Sequence, residues 1–130
     1  ITGSGMIGEL QEPVSELEFL KQISNKFKVK AIRHTSLLGK SIQKVALCGG
    51  AGSFLTGAAI AAGADIYISA DIKYHEFFDA ENRIVLADIG HFESEQYTID
   101  LLADVLRQNF PNFAVLKTGV CTNPVHIFLG

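Results

Sequence analysis

Hydrophobic residues recur along the chain with two different spacings. Short β-branched or aliphatic runs, typical of strands, alternate with segments whose apolar residues lie three and four apart, on one face of a helix. The pattern predicts helices at 17–27, 53–62, 74–80 and 101–110, with Ser15 as the N-cap of the first. It predicts strands at 29–33, 45–47, 66–68, 84–87, 114–117 and 125–129. This alternation predicts a single layered α/β/α domain over residues 1–130, with a largely parallel or mixed sheet.

Composition narrows the classes of protein that the chain fits. With 130 residues, 48% of them hydrophobic and 19% charged, the chain is long enough to fold around one core without metal or disulfide staples. A net charge of -3 and the lack of a basic run argue against nucleic-acid binding. No apolar stretch approaches the roughly 20 residues that cross a bilayer, so no membrane partner is expected. Cys48 and Cys121 lie far apart without a Cys-x-x-Cys pair, which favours a reducing, cytoplasmic location.

Polar residues follow the predicted strands at three places, and ligands bind at such places in open parallel sheets. The first is the glycine-rich turn Cys48–Ser53, whose free N–H groups suit an anion or allow tight backbone packing. The turn lacks the Lys-Ser/Thr pair of a phosphate-binding loop, and both interpretations stay open. Cys48 itself fits either a nucleophile near a helix start or an inert packing residue.

An acid and an imidazole follow the strand predicted at 66–68. Asp71 and His75 lie four residues apart, close enough for their side chains to touch. If Asp71 accepts a hydrogen bond from His75, it orients that ring as a general base or as a partner of a metal ligand. The alternative is that Asp71 caps the next helix while His75 is half exposed. Both residues are therefore candidate catalytic residues, with a structural role as the alternative.

Imidazole and carboxylate groups gather again after the strand predicted at 84–87. His91 and Glu95 are one helical turn apart, so both can point at one cation and offer it the nitrogen and oxygen donors that zinc, iron or manganese accept. Glu93 is expected to point elsewhere. The alternative is that the two glutamates only complement the helix dipole. Two ligands cannot hold a catalytic metal, so either further ligands lie outside this sequence or no metal is bound.

Taken in order, these segments resemble the C-terminal part of the Nif-three-like family, many members of which are called GTP cyclohydrolase type-two homologues. The resemblance runs over almost the whole chain and is carried by Gly8-Glu9-Leu10, Val45–Ser53, Gly63–Asp71, Lys73-Tyr74-His75 and Gly90–Glu95. Each segment is weak alone, whereas the ordered set is specific. The resemblance implies that the chain is the C-terminal fragment of a longer protein, with residues 1–12 as a lead-in from a preceding inserted domain.

The resemblance also implies a metal site. In that family a histidine pair and an aspartate from the N-terminal half join a Gly-His-x-x-x-Glu motif around two metal ions. The motif falls on His91 and Glu95, which are therefore expected to be ligands of divalent zinc, iron or manganese, two ions per intact chain. No His-His pair occurs in this sequence, so the remaining ligands are absent from it. The intact protein is expected to be a ring-like homohexamer whose metal sites face an internal cavity.

Three functions compete on this basis. The leading hypothesis is a metal-dependent, hydrolase-like protein that acts on a small substrate, with a nucleotide suggested only by the family's name, and with His75 or Asp71 moving a proton. The second is a metal-binding assembly or protein-interaction factor without physiological turnover, as the family's name as an interacting factor suggests. The third is a nucleotide-binding domain that uses Gly49–Gly52.

Overall fold

The computed structural model describes residues 3–130, which form a mixed five-stranded sheet with helices packed on its two faces. The elements are β1 Met6–Ser15, α1 Glu16–Phe27, β2 Arg33–His34, β3 Ser41–Ala51, a 3₁₀ turn Ser53–Leu55, α2 Thr56–Ala61, β4 Ile66–Ala70, a 3₁₀ helix Tyr74–Ala80, β5 Val85–Asp88, α3 His91–Glu95 and α4 Thr98–Asn109. The strands lie in the order β1-β3-β4-β5-β2. The three central strands are parallel, and both edge strands are antiparallel to their neighbours. The predicted layered α/β fold is confirmed.

The two faces of the sheet bury separate apolar clusters. Successive side chains of a strand point to opposite faces. In β4, Ile66 and Ile68 belong to the cluster under α1, whereas Tyr67 belongs to the cluster that contains Ala59 of α2. All five residues of β4 are buried, as expected for a strand that is covered on both sides. The parallel strands therefore form a fixed frame, and their carboxyl ends meet along one edge.

Helix α1 begins as the sequence predicts. Ser15 is its N-cap, with an extended backbone and a hydroxyl that accepts a hydrogen bond from the Glu18 N–H at 3.3 Å. The buried carboxylate of Glu16 accepts hydrogen bonds from the N–H groups of Leu38 (2.7 Å) and Gly39 (3.0 Å). These two bonds tie the start of the helix to the connector that leads into β3.

The strands predicted at 114–117 and 125–129 are wrong. In the described part of the chain neither segment is a strand, and nearly all of their side chains are exposed. A β-branched run forms a strand only where a neighbour satisfies its backbone N–H and C=O groups, and none of the five strands of the sheet pairs with either segment. The strand predicted at 29–33 is wrong except at Arg33, because β2 comprises Arg33 and His34, the two residues that pair with β5.

Strand β1 was not predicted from the sequence, and its residues overlap the lead-in at 1–12. Its first half pairs with β3 from Met6 to Glu9, and its second half pairs again from Val14 to Ser15 after a bulge. Pro13 lies in the unpaired interval of this edge strand, where its missing N–H costs no ladder hydrogen bond. Residues 1 and 2 of the lead-in lie outside the described residues, and its origin in an inserted domain stays a prediction.

Helix α4 and the segment after it carry many exposed apolar side chains. Ala103 is the buried residue of α4, whereas Leu101, Leu102, Val105 and Leu106 are exposed. The segment 110–130 adds further exposed apolar residues. None of the helices found between residues 3 and 130 combines the length and the apolar character needed to cross a membrane. The predicted helical spacing at 101–110 therefore marks an apolar face that the rest of the described chain leaves exposed.

Leu20→Ala is expected to lower the free energy of unfolding by about 2–5 kcal/mol, because it opens a cavity where α1 packs on the sheet. Leu17→Ala, on the exposed side of the same helix, is expected to change it by less than about 0.5 kcal/mol. Urea unfolding followed by circular dichroism measures both. Equal losses from the two variants would contradict the packing of α1 described above.

Candidate metal site

Three loops meet at the carboxyl edge of the parallel strands. Strand β3 ends in the glycine-rich segment Gly49–Gly52, which turns at Gly50 and whose residues up to Ala51 still belong to the strand. Strand β4 is followed by Asp71, and β5 leads through Gly90 into α3. The residues that the sequence analysis selected lie in or beside these loops. The structure brings three of the four together, because Asp71 and Glu95 both contact His91.

His91 is the centre of this cluster. Its Nδ1 lies 2.7 Å from Asp71 Oδ2, and its Nε2 lies 3.3 Å from Glu95 Oε2. An ionised carboxylate only accepts hydrogen bonds, and the contact with Asp71 is the shorter of the two, so the neutral ring carries its proton on Nδ1 and donates a hydrogen bond to Asp71. The unprotonated Nε2 then faces Glu95. Two donors that each lie about 2.1 Å from one zinc ion are about 3.4 Å apart at the tetrahedral angle. The observed separation of Nε2 and Oε2 therefore suits a shared cation.

The charges around His91 favour a positive group at this ring. The hydrogen bond to Asp71 raises the pKa of His91 above its usual value, burial opposes the shift, and the charge of Glu95 adds to it. In the metal-free protein the charged ring therefore contributes stability that is fully present below a pH of about 6.5. That contribution is lost as the pH rises through the raised folded-state pKa. The same carboxylates attract a cation in place of the proton.

The glycine-rich end of β3 makes room for the cluster. Gly50 has a left-handed backbone with φ +65, and a Cβ placed on it would lie 2.5 Å from Glu95 Oε1 and 3.3 Å from His91 Cε1. Ser94 fastens the turn to α3, because its Oγ accepts a hydrogen bond from the Gly50 N–H at 2.9 Å and donates one to the His91 carbonyl at 2.8 Å. The left-handed backbone therefore favours glycine at position 50, and a Cβ there would displace the carboxylate end of Glu95.

Strand β4 supports the same turn from inside the domain. Ser69 donates a hydrogen bond to the Gly50 carbonyl at 3.1 Å, and Tyr67 donates one to the Gly52 carbonyl at 2.6 Å. Burial raises the pKa of Tyr67 to about 12, so the phenol stays a proton donor at ordinary pH. Cys48, at the start of the turn, is buried and belongs to the core cluster. These contacts give the glycine-rich segment a defined packing role beside the imidazole.

Asp88 is a buried carboxylate that the sequence analysis did not select. Its Oδ1 accepts a hydrogen bond from the Gly90 N–H at 3.0 Å, and its Oδ2 accepts one from the Ile72 N–H at 3.0 Å. Arg33 forms an ion pair with the same Oδ2 and donates to the Ile72 carbonyl at 3.0 Å. The feature of the sequence that could have marked Asp88 is an acidic residue at the end of a hydrophobic strand. A carboxylate buried at such a place requires hydrogen-bond or ion-pair partners.

His75 lies outside the cluster. It is exposed, and its ring meets the edge of Tyr74 with centroids 6.2 Å apart. Asp71 contacts His91 instead, and the N-cap of the 3₁₀ helix is Lys73, so neither interpretation of the Asp71 and His75 spacing describes the structure. Asp71 has a left-handed backbone with φ +54 and lies before the helix, which begins at Tyr74 as predicted.

An open cleft of about 980 Å³ contains the cluster. The side chains of this cluster fit part of a metal site, since an oriented imidazole and a carboxylate face the same space beside the left-handed Gly50. They do not complete one. Within residues 3–130 no group of three or more His, Cys, Asp or Glu side chains is arranged to hold a metal ion, whereas a catalytic zinc site needs about three protein ligands.

The fold and this edge define a layered α/β domain with an imidazole and carboxylate cluster at its ligand-binding edge. The family model described as Duf34/NIF3 (NGG1p interacting factor 3) matches residues 1–124. The chain belongs to the Duf34/NIF3 family, which confirms the family that the sequence resembles.

Curated relatives in this family are longer than the chain. The GTP cyclohydrolase 1 type 2 homolog of Staphylococcus epidermidis is 33% identical over 127 residues, which cover 94% of this chain and 34% of that protein. The protein with the same name from Streptococcus pneumoniae is 34% identical over 133 residues, which cover 95% of this chain and 49% of that protein. The chain thus spans between a third and a half of the length of these relatives.

Solved structures share the fold. A Bacillus cereus protein related to NIF3 superimposes with a TM-score of 0.80 and 29% identity, and the match covers 98% of this chain and 36% of that one. The Staphylococcus aureus protein SA1388 matches with a TM-score of 0.81, at 24% identity, over 95% of this chain and 42% of that one. The second likeness concerns the fold alone.

Asp71→Asn is expected to lower the pKa of His91, because it removes the charged acceptor that stabilises the protonated ring. A histidine-selective NMR titration of metal-free protein measures this pKa. Glu93→Gln is the matched control, since Glu93 lies in the same cleft but is not among the groups that shift the His91 pKa. An unchanged His91 pKa in Asp71→Asn would show that the two side chains do not interact in solution.

Proposed function

We propose that this chain supplies one part of a divalent-metal site in a hydrolase-like protein. His91 Nε2 and the Glu95 carboxylate are the ligands, and Asp71 holds the imidazole in the orientation that directs Nε2 into the cleft. The remaining ligands come from a part of the protein outside this sequence and complete a site for two ions. The observation that carries the proposal is the position of His91 between Asp71 and Glu95, at 2.7 and 3.3 Å.

The charge of the cleft supports a cation. Its charged lining consists of the carboxylates of Asp71, Asp88, Glu93 and Glu95, the imidazole of His91 and the guanidinium of Arg33. Because carboxylates outnumber the cationic side chains, the local potential attracts positive ions and repels a free anion. An anionic substrate such as a nucleotide therefore binds here only after cations have offset this charge.

The donor set suggests which ions bind and what they do. A mixed nitrogen and oxygen set suits zinc, iron or manganese. When bound, such an ion supplies Lewis acidity, which polarises a substrate oxygen and lowers the pKa of water. Of the two candidate catalytic residues, Asp71 lies in the cleft and holds the proton at His91 Nδ1, whereas His75 does not line the cleft. The name of the curated relatives makes a nucleotide the first substrate to examine.

Metal content measured by elemental mass spectrometry tests this proposal in the full-length protein. The wild type is expected to carry about two ions per chain, and the His91→Ala, Glu95→Ala double variant is expected to lose bound metal. His75→Ala is the matched control, because it removes an exposed imidazole outside the cleft and should keep the metal. Equal metal content in the wild type and the double variant would remove His91 and Glu95 from the site.

Gly50→Ala is expected to weaken zinc binding by about tenfold or more, because the added Cβ displaces Glu95 and crowds His91. Gly63→Ala is the matched control. It places the same residue on a left-handed glycine, φ +74, with no neighbouring atom within 4 Å. Both variants store backbone strain of about 1–3 kcal/mol. A difference between their zinc affinities, measured by calorimetric titration, therefore reports the crowding at position 50 rather than the strain. Equal zinc affinity in the two variants would contradict the contact between Gly50 and Glu95.

A second candidate function is that of a metal-binding assembly or interaction factor without turnover. The observation that favours it is the exposed apolar face of α4 together with the exposed apolar residues at 110–130, because large apolar patches mark interaction surfaces. The family description as an interacting factor agrees with it. The double variant distinguishes the two functions: loss of the proposed homohexamer indicates a structural metal, and loss of hydrolysis by an intact oligomer indicates a catalytic one.

A further inference from the structure

The contact between Asp71 and His91 requires two separate loops to be held in register. Asp71 follows β4 and His91 follows β5, and the two residues are 20 positions apart. Asp71 is a non-glycine residue with a left-handed backbone, φ +54, and the other loop passes through Gly90 with φ +91. A left-handed backbone at a non-glycine residue persists only where the surrounding structure holds it. Some group must therefore fix both loops.

We propose that Asp88 is the positioning residue that fastens these two loops together. Its two carboxylate oxygens bond to different loops: Oδ2 accepts from the N–H of Ile72, directly after Asp71, and Oδ1 accepts from the N–H of Gly90, directly before His91. Asp88 is 5% exposed, so these bonds are shielded from competing water.

Arg33 completes the arrangement from the neighbouring edge strand. Its guanidinium forms an ion pair with Asp88 Oδ2 and donates a hydrogen bond to the Ile72 carbonyl. The peptide group before Ile72 and the one after it are therefore both held. The pairing of Arg33 with Asp88 in the β2–β5 ladder brings the guanidinium to this place. A carboxylate is needed at position 88 because two backbone donors and a guanidinium require more acceptors than the single oxygen of an amide offers.

Asp88→Asn and Asp65→Asn form a matched pair for testing this role. Asp65 also accepts two backbone hydrogen bonds, from the N–H groups of Gln43 (2.9 Å) and Lys44 (2.7 Å), but it lies at the amino end of β4, away from the cleft. Both substitutions replace a carboxylate that holds backbone N–H groups by an amide. Only Asp88→Asn releases a loop that carries a cluster residue.

The first readout is the tautomer of His91 in metal-free full-length protein, measured by ¹⁵N NMR at a pH where the ring is neutral. The wild type and Asp65→Asn are expected to show the Nδ1–H form, and Asp88→Asn is expected to lose it in favour of a mixture. Retention of the Nδ1–H form in Asp88→Asn overturns the proposal. If Asp88→Asn does not fold, hydrogen exchange of the backbone amides is measured in the wild type instead. Slow exchange at both Ile72 and Gly90 supports the proposal, and rapid exchange at either residue overturns it.

The second readout rests on the proposed metal-binding function. Zinc affinity is expected to fall about 10–100-fold in Asp88→Asn and to be unchanged in Asp65→Asn, as for other partners that orient a metal ligand. Equal zinc affinity in the two variants overturns the positioning role. If the wild type itself binds no zinc, the proposed function fails, and the tautomer measurement still decides the role of Asp88.

Discussion

The hydrogen bond from His91 Nδ1–H to Asp71 is the interaction on which the candidate site depends. It joins the loops after β4 and β5, fixes the proton on one ring nitrogen and leaves the other facing Glu95. If the imidazole were rotated, Nε2 would no longer lie 3.3 Å from Glu95 Oε2, the separation that suits one shared cation. The surrounding features all serve this one contact: a glycine where a Cβ would collide, a serine that ties the turn to α3, and a buried aspartate with an oxygen on each loop.

The sheet explains why these loops meet. Three parallel strands end at the same edge, so segments distant in sequence are brought within hydrogen-bond range there. Burial on both faces makes the frame rigid, whereas the cluster itself is about half exposed, at 50–55% of each side chain. A rigid frame with an accessible edge is the arrangement that a binding site requires, since the protein fixes the donors before any ligand arrives.

Local signals in the sequence predicted local features well. The Ser15 cap and the one-turn spacing of His91 and Glu95 depend on residues close in the chain, and both are found in the structure. The glycine-rich segment was predicted as a turn that follows the strand, whereas β3 continues through Gly49 and Gly50 to Ala51. Features that depend on distant partners were missed. Strand β1 forms because β3 offers it an edge, and the runs at 114–117 and 125–129 have no such neighbour in the described chain. The partner of Asp71 was likewise misjudged, because sequence spacing cannot reveal a contact across two strands.

We propose that His91 Nε2 and Glu95 bind the metal while Asp71 holds Nδ1. The most direct test is a crystal structure of the full-length protein grown with zinc, with anomalous scattering recorded at the zinc edge. We expect an anomalous peak within about 2.3 Å of both His91 Nε2 and a Glu95 oxygen, with Asp71 still bonded to Nδ1. A peak bonded to Nδ1, or zinc bound only elsewhere in the protein, would contradict the account.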